Sequence, residues 1–381
     1  MLSEEIKFLV DILKVYTPST KESKLSNLLA NKMRAMGFRD VYVDNADNVI
    51  GEVGEGKPRI LMCSHLDTVP GYIKVNVDDR YIRGRGAVDA KGPLAAMLLA
   101  ITRLKNSNES GKIIFAGVSD EEGNGRGIKE LASRGIDADF AIFGEPSGLG
   151  NITIGYKGRI SLAVKFFGRS VHASSPWIGI NAIEKLFDFW KEFKHSISIE
   201  EQSKDKYNAL TACITKIYGG SANNVVPREC TAVLDVRIPL GFKAYDIVKR
   251  IQEHAKNYQD RLIDTHFEIK ILDITEPYEV DRRSLIVRAL SIAVNEIYGR
   301  SPNLIKKTGT GDMNVIGNSL KIPSVTYGPG NAHLAHSEEE KIEIKEYLSS
   351  IDVYQRALLH LSKLYKKTLS GELRIKGPNL S

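Results

Sequence analysis

The sequence predicts a two-domain α/β protein in which an α+β domain is inserted into a mostly parallel-sheet domain. Its 381 residues correspond to about two to three ordinary domain lengths. Near-continuous apolar runs alternate with helical segments on both sides of a central stretch, which is typical of a parallel sheet covered on both faces. The central stretch instead has the order βαββαβ, which is typical of a ferredoxin-like sandwich. We therefore expect one domain over 1–157 and 273–381 and an inserted domain over 158–272.

Two amphipathic helices open the first domain, at Glu4–Tyr16 and Lys21–Met36, and Gly37 follows the second at the position where helices commonly end in glycine. Apolar runs bounded by turn residues predict buried strands at Arg59–Cys63, Lys112–Val118, Asp139–Phe143 and Pro323–Tyr327. Further helices are predicted at Pro93–Leu104, Gly127–Ser133, Arg282–Tyr298 and Glu340–Tyr365. The tail Lys366–Ser381, which is rich in glycine and polar residues, is expected to be loosely attached.

The inserted domain begins near Gly158, where the pattern of the chain changes. Its predicted elements are, in order, strand Arg159–Phe167, helix Gly179–Phe193, strands Ala209–Tyr218 and Glu229–Arg237, helix Ala244–Tyr258 and strand His266–Leu272.

Composition excludes several classes of protein. The chain is 42% hydrophobic and 26% charged, which is ordinary globular composition. Its longest apolar run is far shorter than a membrane span, and its N-terminus lacks the features of a signal peptide. The three cysteines form no CxxC pair, which favours a reducing compartment and argues against a thiolate zinc site. From these features we expect a cytoplasmic protein that does not bind a membrane. We expect no binding to nucleic acid either, because the net charge of +6 is spread along the chain without a basic motif.

Acids and histidines follow the predicted strands at the points where those strands end. In an open α/β sheet, ligands bind outside the carboxyl ends of the strands, so these side chains are expected to meet at one edge. Imidazole and carboxylate together suit divalent ions such as zinc, and a carboxylate shared by two ions makes a two-metal hydrolytic centre. We assign the bridging position to Asp89, which directly precedes a helix. The side chains concerned are His65, Asp67, Asp89, Glu121, Glu122, Glu145 and His336.

Two pairs in this set suggest a division of roles. His65 and Asp67 lie two residues apart and so share one face of an extended segment, where Asp67 can accept the other ring N–H of His65. Glu121 and Glu122 precede a glycine-rich turn, which allows one carboxylate to bind metal while its neighbour acts as general base. Taken alone, HxD is a common tripeptide and an acidic pair in a loop is usually solvated. His172, alone in a loop of the inserted domain, would most simply be a hydrogen-bonded structural residue.

Seven ordered motifs give the sequence a specific resemblance. The chain resembles the di-zinc aminoacylase and carboxypeptidase family, which includes acetylornithine deacetylase, succinyl-diaminopimelate desuccinylase and glutamate carboxypeptidase. The motifs are SHLDTVP, GRGAVDAKG, SDEEGNG, FGEP, GRSVHASSP, NNVVP followed by LDVRIP, and GPGNAHLAHSEEE.

The resemblance implies a role for each matching position. One zinc would bind His65, Asp89 and Glu145, and the other Asp89, Glu122 and His336. Glu121 would be the general base, and Asp67 would orient His65. The inserted domain would form a homodimer, in which His172 reaches the active site of the partner subunit and stabilises the oxyanion. Substrate contacts would come from Asn224 and Arg237 and from the loop at Gly328 and Gly330. The family often has Asp where Asn331 stands and a proline within SEEE, so the loop around His336 is expected to differ.

Within the family, VDAKGPLAA and the GPGN loop are most similar to hydrolases of the LysK type, which release lysine or ornithine from a small acidic amino-group carrier protein. The net charge of +6 agrees with an acidic partner. An acetylornithine deacetylase or another N-acyl amino acid hydrolase is the main alternative, and a non-catalytic binding scaffold of the same fold is a remote one. The expected cofactors are two divalent ions, zinc or else cobalt.

Overall fold

The structure is a computed structural model that describes residues 2–107, 109–198 and 205–373. The chain divides into two compact units. The first comprises the described residues of Met1–Gly155, Val280–Lys306 and Gly311–Ser381, and the second comprises those of Tyr156–Glu279 and Lys307–Thr310. All the predicted metal ligands belong to the first unit.

The α-helices of the described residues are α1 (Glu4–Leu13), α2 (Ser23–Met36), α3 (Lys91–Arg103), α4 (Arg126–Arg134), α5 (Ala182–Ser198), α6 (Ala244–Gln259), α7 (Leu285–Tyr298), α8 (Asp312–Ser319) and α9 (Ile344–Leu369). Their strands are β1 (Arg39–Val43), β2 (Val49–Val53), β3 (Arg59–His65), β4 (Asn76–Val77), β5 (Tyr81–Arg83), β6 (Lys112–Val118), β7 (Phe140–Gly144), β8 (Asn151–Tyr156), β9 (Gly158–Phe167), β10 (Thr211–Gly219), β11 (Glu229–Ile238), β12 (His266–Thr275), β13 (Tyr278–Glu279), β14 (Asn303–Lys307), β15 (Ser324–Tyr327) and β16 (Lys341–Glu343). None of these helices combines the length and the apolar character that crossing a bilayer requires.

The large sheet of the first unit is parallel at its centre. Its strands follow the order β1-β2-β6-β3-β7-β15-β8, and β14 pairs with β8. Strand β3 runs parallel to both β6 and β7, and β15 runs parallel to β7. These four strands are almost entirely buried, as their continuous apolar sequences predict. Their carboxyl ends therefore meet at one edge of the sheet.

The second unit has the ferredoxin-like topology that its sequence predicts. Its four-stranded sheet is antiparallel in the order β10-β11-β9-β12. Alternate residues of β9, from Ile160 to Phe166, are buried in one apolar core together with residues of α5 and α6, including Phe189 and Ile247. The period of two in β9 therefore decides which face of the sheet the two helices cover.

The mixed α/β fold is confirmed, but several predicted bounds are wrong. The expected helix Glu340–Tyr365 begins as strand β16, and α9 continues to Leu369, so the first residues of the expected loose tail are helical. Strand β16 forms because it pairs with β5, a partner that is distant in sequence. The rest of the predicted tail, 374–381, lies outside the described residues.

Candidate metal centre and active site

Three neighbouring parallel strands deliver side chains to one edge of the large sheet. His65 is the last residue of β3, Glu121 and Glu122 follow β6, and Glu145 directly follows β7. Asp89 comes from a different direction, because it lies in the segment between β5 and α3. The expected convergence at the strand ends is therefore present in the first unit.

His65 lies at the centre of the first group of ligand atoms. Its side chain is buried, and its Nε2 lies 3.0 Å from Oδ1 of Asp89 and 3.5 Å from Oε1 of Glu145. One ligand atom from each of these three residues lies within 4.8 Å of the others. A single ion could therefore contact all three.

Asp89 also belongs to a second group. Its Oδ2 lies 3.2 Å from Nε2 of His336, and the same nitrogen lies 2.7 Å from Oε1 of Glu122. The ligand atoms of Asp89, Glu122 and His336 likewise lie within 4.8 Å of one another. Each oxygen of Asp89 thus faces a different imidazole, which is the arrangement expected of a carboxylate between two ions.

The electrostatics of the centre favour a bound cation. Hydrogen bonds to Asp89 and Glu122 raise the pKa of His336 to about 10. Burial lowers the pKa of His65, but the neighbouring carboxylates of Glu145, Asp67 and Asp89 outweigh burial and raise it well above its usual value. Both imidazoles therefore lie where positive charge is stabilised. A donor set of two imidazoles and several carboxylates fits borderline divalent ions such as Zn²⁺.

Asp67 is completely buried and holds the turn that carries the two glutamates. Its Oδ1 accepts a hydrogen bond from the backbone N–H of Glu121 at 3.0 Å, and its Oδ2 accepts from the N–H of Glu122 at 3.1 Å. The hydroxyl of Ser19 donates to Oδ2 at 2.6 Å. The ring Nδ1 of His65 is closer to the backbone oxygen of Asp67, at 2.9 Å, than to its carboxylate, at 3.5 Å. Asp67 thus contacts both His65 and the Glu121–Glu122 turn.

Glu121 lies on a turn that its neighbour Asp120 helps to form, and ligand atoms of Glu121, Glu122 and His65 also lie within 4.8 Å of one another. Asp120 adopts a positive φ of 60° and accepts hydrogen bonds from the backbone of the following glycine-rich turn. Burial raises the pKa of Glu121 well above its usual value; His65 opposes this rise, and other nearby carboxyls add to it. A carboxyl with a raised pKa beside a group of ligands is a candidate for general acid–base chemistry.

Gly328 and Gly330 belong to the loop that follows β15. A side chain at Gly328 would place its Cβ 2.6 Å from the backbone oxygen of Glu145, so the close approach of the loop to that residue requires glycine. Gly330 has φ of 104° and donates its N–H to Glu346 at 2.9 Å. The loop is thus packed against the segment that carries Glu145, and its predicted contact with substrate stays a prediction.

The remaining predicted residues belong to the second unit. His172 is exposed and its Nδ1 lies 2.8 Å from the hydroxyl oxygen of Ser174. The segment of His172 pairs with that of Asn224, whose backbone oxygen accepts the N–H of Ala173 at 2.8 Å. Arg237 lies near the other end of β11, where its Nε donates to Asp235 at 2.6 Å. Within this unit His172 and Asn224 are neighbours, and Arg237 lies apart from them.

Comparison with known proteins decides the family. Residues 61–360 match the family described as Peptidase family M20/M25/M40. The chain belongs to this family. Its resemblance to the di-zinc aminoacylases and carboxypeptidases is thereby confirmed at the level of the family.

Several relatives in the M20 family align with nearly the whole chain. A protein of Pyrococcus abyssi is 36% identical over 376 residues, covering 96% of this chain and 98% of its own, and bears the provisional name LysW-lysine/LysW-ornithine hydrolase. A protein of Sulfurisphaera tokodaii, named LysW-lysine/LysW-ornithine hydrolase, is 34% identical over 358 residues, covering 93% of this chain and 95% of its own.

Solved structures of M20 enzymes share the fold. A tripeptidase from Staphylococcus aureus matches with a TM-score of 0.80 and 24% identity, over 94% of this chain and 98% of its own. An M20 family metallo-carboxypeptidase from Sulfolobus solfataricus matches with a TM-score of 0.79 and 20% identity, over 95% of this chain and 100% of its own. A protein of Bacillus subtilis described as a dinuclear metal-binding peptidase of the M20 family has a TM-score of 0.69 and 14% identity, over 94% of this chain and 98% of its own.

Sequence reasoning missed four polar residues near the centre, of which Arg85, Asp312 and Glu340 are buried. Ser19 donates to Asp67, Glu340 accepts from the backbone N–H of Asp89, and Arg85 donates to Glu340. The carboxyl of Asp312 lies near His65, where burial raises its pKa to about 7. Ser19 and Arg85 stand in no pattern that predicts such contacts. Glu340 belongs to an acidic run, and such runs are usually solvated.

Proposed function

We propose that this chain is a metal-dependent amidohydrolase that releases L-lysine, L-ornithine or both from an amino-group carrier protein in lysine and arginine biosynthesis. One observation carries the proposal: Asp89 is shared by two groups of metal-ligand atoms beside Glu121, in a chain that aligns end to end with relatives named LysW-lysine/LysW-ornithine hydrolase. The carrier-linked amino acid is an amide, which is the class of bond that M20 peptidases cleave.

The metal ligands, Glu121 and Asp67 have different roles in the proposed amide hydrolysis. Two divalent ions, Zn²⁺ or Co²⁺, held by His65, Asp89 and Glu145 and by Asp89, Glu122 and His336, would polarise the amide carbonyl and make water a better nucleophile. Glu121 takes a proton from the attacking water and delivers it to the departing amine of the amino acid. Asp67 keeps Glu121 in place through the backbone hydrogen bond described above.

His172 and Arg237 lie far apart within the second unit. The segment of His172 and Asn224 lies beside the Glu229 end of β11, because Gly168 donates its N–H to the backbone oxygen of Arg228 and Val226 donates to Val171. Arg237 lies eight residues further along the same strand, about 26 Å away at about 3.3 Å per residue. One amide cannot touch both ends of this strand. We propose that the partner subunit of a homodimer supplies His172 to the active site, and that Asn224, Arg237, Gly328 and Gly330 contact the substrate.

Long-range electrostatic attraction would act on the carrier protein and not on the small amino acid that it carries. The chain has a net charge of +6, so a small acidic carrier would be attracted over a distance set by the salt concentration. Debye screening shortens from about 8 Å near physiological salt to about 3 Å at 1 M. A small N-acyl amino acid carries too little charge for this attraction to matter.

The test is an assay of the purified, metal-loaded enzyme on carrier-linked lysine, carrier-linked ornithine and N-acetylornithine. We expect kcat/KM to be highest for a carrier conjugate and to fall steeply with salt for that substrate alone. N-acetylornithine, assayed under the same conditions, controls for effects of salt on folding or metal binding. A higher kcat/KM for N-acetylornithine would assign the chain to the deacetylases, and no hydrolysis of any amide by the two-metal form would favour a binding scaffold.

A further inference from the structure

A buried carboxyl lies directly behind the metal ligand Asp89. Oε1 of Glu340 accepts hydrogen bonds from the backbone N–H groups of Val88 and Asp89, each at 3.1 Å. The Glu340 side chain is only 1% exposed. It therefore fixes the backbone of the residue whose two oxygens face His65 and His336.

Arg85 pairs with Glu340 and also contacts the segment that carries His336. Its Nη1 donates to Oε2 of Glu340 at 2.8 Å and to the backbone oxygen of Ser337 at 3.0 Å. Its Nε donates to the backbone oxygen of Gly71 at 2.8 Å. Ser337 directly follows His336, so one buried ion pair contacts the backbone of Asp89 on one side and the backbone next to His336 on the other.

Both of these ligands need such support, because neither lies in regular secondary structure. Asp89 belongs to the irregular segment before α3. His336 adopts a φ of 64°, a conformation that costs energy for a residue with a side chain, and half of its side chain is exposed. Neither residue therefore belongs to a helix or strand that could fix the distance between them.

We propose that Arg85 and Glu340 form a positioning pair that presets the spacing of Asp89 and His336 and thereby sets the affinity of the Asp89–Glu122–His336 group for its metal ion. The inference rests on the metal centre of the proposed function. Residues that orient metal ligands typically contribute 10- to 100-fold in metal affinity. The pair acts through Asp89 and His336 and touches neither ion nor substrate.

The chain contains a matched control for this pair. Arg83 and Glu339 form an ion pair of the same length, 2.8 Å, one residue before Glu340 and two before Arg85. Its side chains are 34% and 71% exposed, and exposed pairs contribute little. Glu339→Gln therefore makes the same chemical change as Glu340→Gln in the same acidic run, without disturbing Asp89.

The experiment is a titration of the metal-free full-length chain with Co²⁺, followed by visible absorption and calorimetry. His336→Ala first identifies which equivalent belongs to the Asp89–Glu122–His336 group. We expect Glu340→Gln and Arg85→Met each to weaken that same equivalent by about 10- to 100-fold, and the other equivalent less. The double variant is expected to be little worse than either single variant, because both remove one interaction. Glu339→Gln is expected to titrate like the wild type.

Two outcomes separate this inference from the proposed function. If the wild type binds two equivalents and both Glu340→Gln and Arg85→Met titrate like it, the positioning pair is refuted and the metal centre stands. If the wild type does not bind two equivalents of Co²⁺, both the positioning pair and the proposed two-metal function are refuted. Should Glu340→Gln not fold, Arg85→Lys decides the matter, since a lysine amine cannot contact Gly71, Ser337 and Glu340 at once and should show the same selective weakening.

Discussion

Replacing Asp67 by asparagine removes a negative charge and one acceptor without changing the shape of the side chain. The two oxygens of Asp67 accept from the backbone N–H groups of Glu121 and Glu122, one each. An amide has only one oxygen, so its NH₂ group must face one of these partly buried N–H groups, whichever way it is turned.

The size of the effect follows from this mismatch. A buried donor left without an acceptor costs about 1–3 kcal/mol, and the remaining bond loses the strength that the charge gave it, which adds about 1 kcal/mol. If this loss of about 2–4 kcal/mol misplaces Glu121 and raises the activation free energy by the same amount, kcat falls about 30- to 900-fold. Ser19→Ala removes the hydroxyl donor but leaves both backbone bonds, so we expect a loss below about tenfold.

The assay measures kcat and KM on the carrier conjugate together with the metal content of each variant. We expect Asp67→Asn to keep two metal equivalents, because Asp67 belongs to none of the groups of candidate ligand atoms. Asp44→Asn is the control for the loss of charge, since Asp44 also accepts two backbone N–H groups in a turn, those of Ala46 and Asn48, yet is no member of the candidate ligand groups. Both bonds end on its Oδ1, so the amide oxygen can keep them. It should leave kcat unchanged. A kcat within threefold of the wild type for Asp67→Asn would refute the reasoning, and loss of metal in that variant would show that Asp67 acts mainly through His65.

Further outcomes are expected from the same structure. Glu121→Gln should keep both metal ions, checked by elemental analysis, yet lose about 10²- to 10⁴-fold in kcat, because a general base is removed and no ligand is. Asp89→Ala should lose both equivalents in that analysis and His336→Ala mainly one, so two equivalents on Asp89→Ala would refute the bridge. Mixing inactive His172→Ala with inactive Glu121→Ala subunits should restore activity, and no recovery after verified subunit exchange would argue against a site shared between subunits. Burial lowers the pKa of the Lys157 amine from 10.5 to about 8, so between these pH values the folded chain binds fewer protons than the unfolded chain, and the free energy of unfolding should rise with pH. In thermal melts at pH 8 and 10, Lys157→Met should show a smaller rise than the wild type. An equal rise in both proteins would contradict this prediction.

The fold could be predicted from the sequence because its central strands are buried on both faces and therefore read as continuous apolar runs. Strands β3, β6 and β7 each match such a run. Strands β5 and β16 could not be predicted, because they are short, partly exposed and stabilised by pairing with each other across more than 250 residues. For the same reason the local sequence predicts a helix from Glu340, whereas α9 begins only at Ile344.

For the candidate site, the sequence by itself determined which side chains follow the strand ends, since the polarity of parallel strands brings His65, Glu121 and Glu145 to one edge. Only the tertiary structure decided how the irregular segments of Asp89 and His336 reach that edge, because no local pattern fixes such segments. It also decided which acid of the run Glu338–Glu340 is buried. That choice depends on the partner Arg85, 255 residues away, whose charge and hydrogen bonds compensate for the loss of water around Glu340.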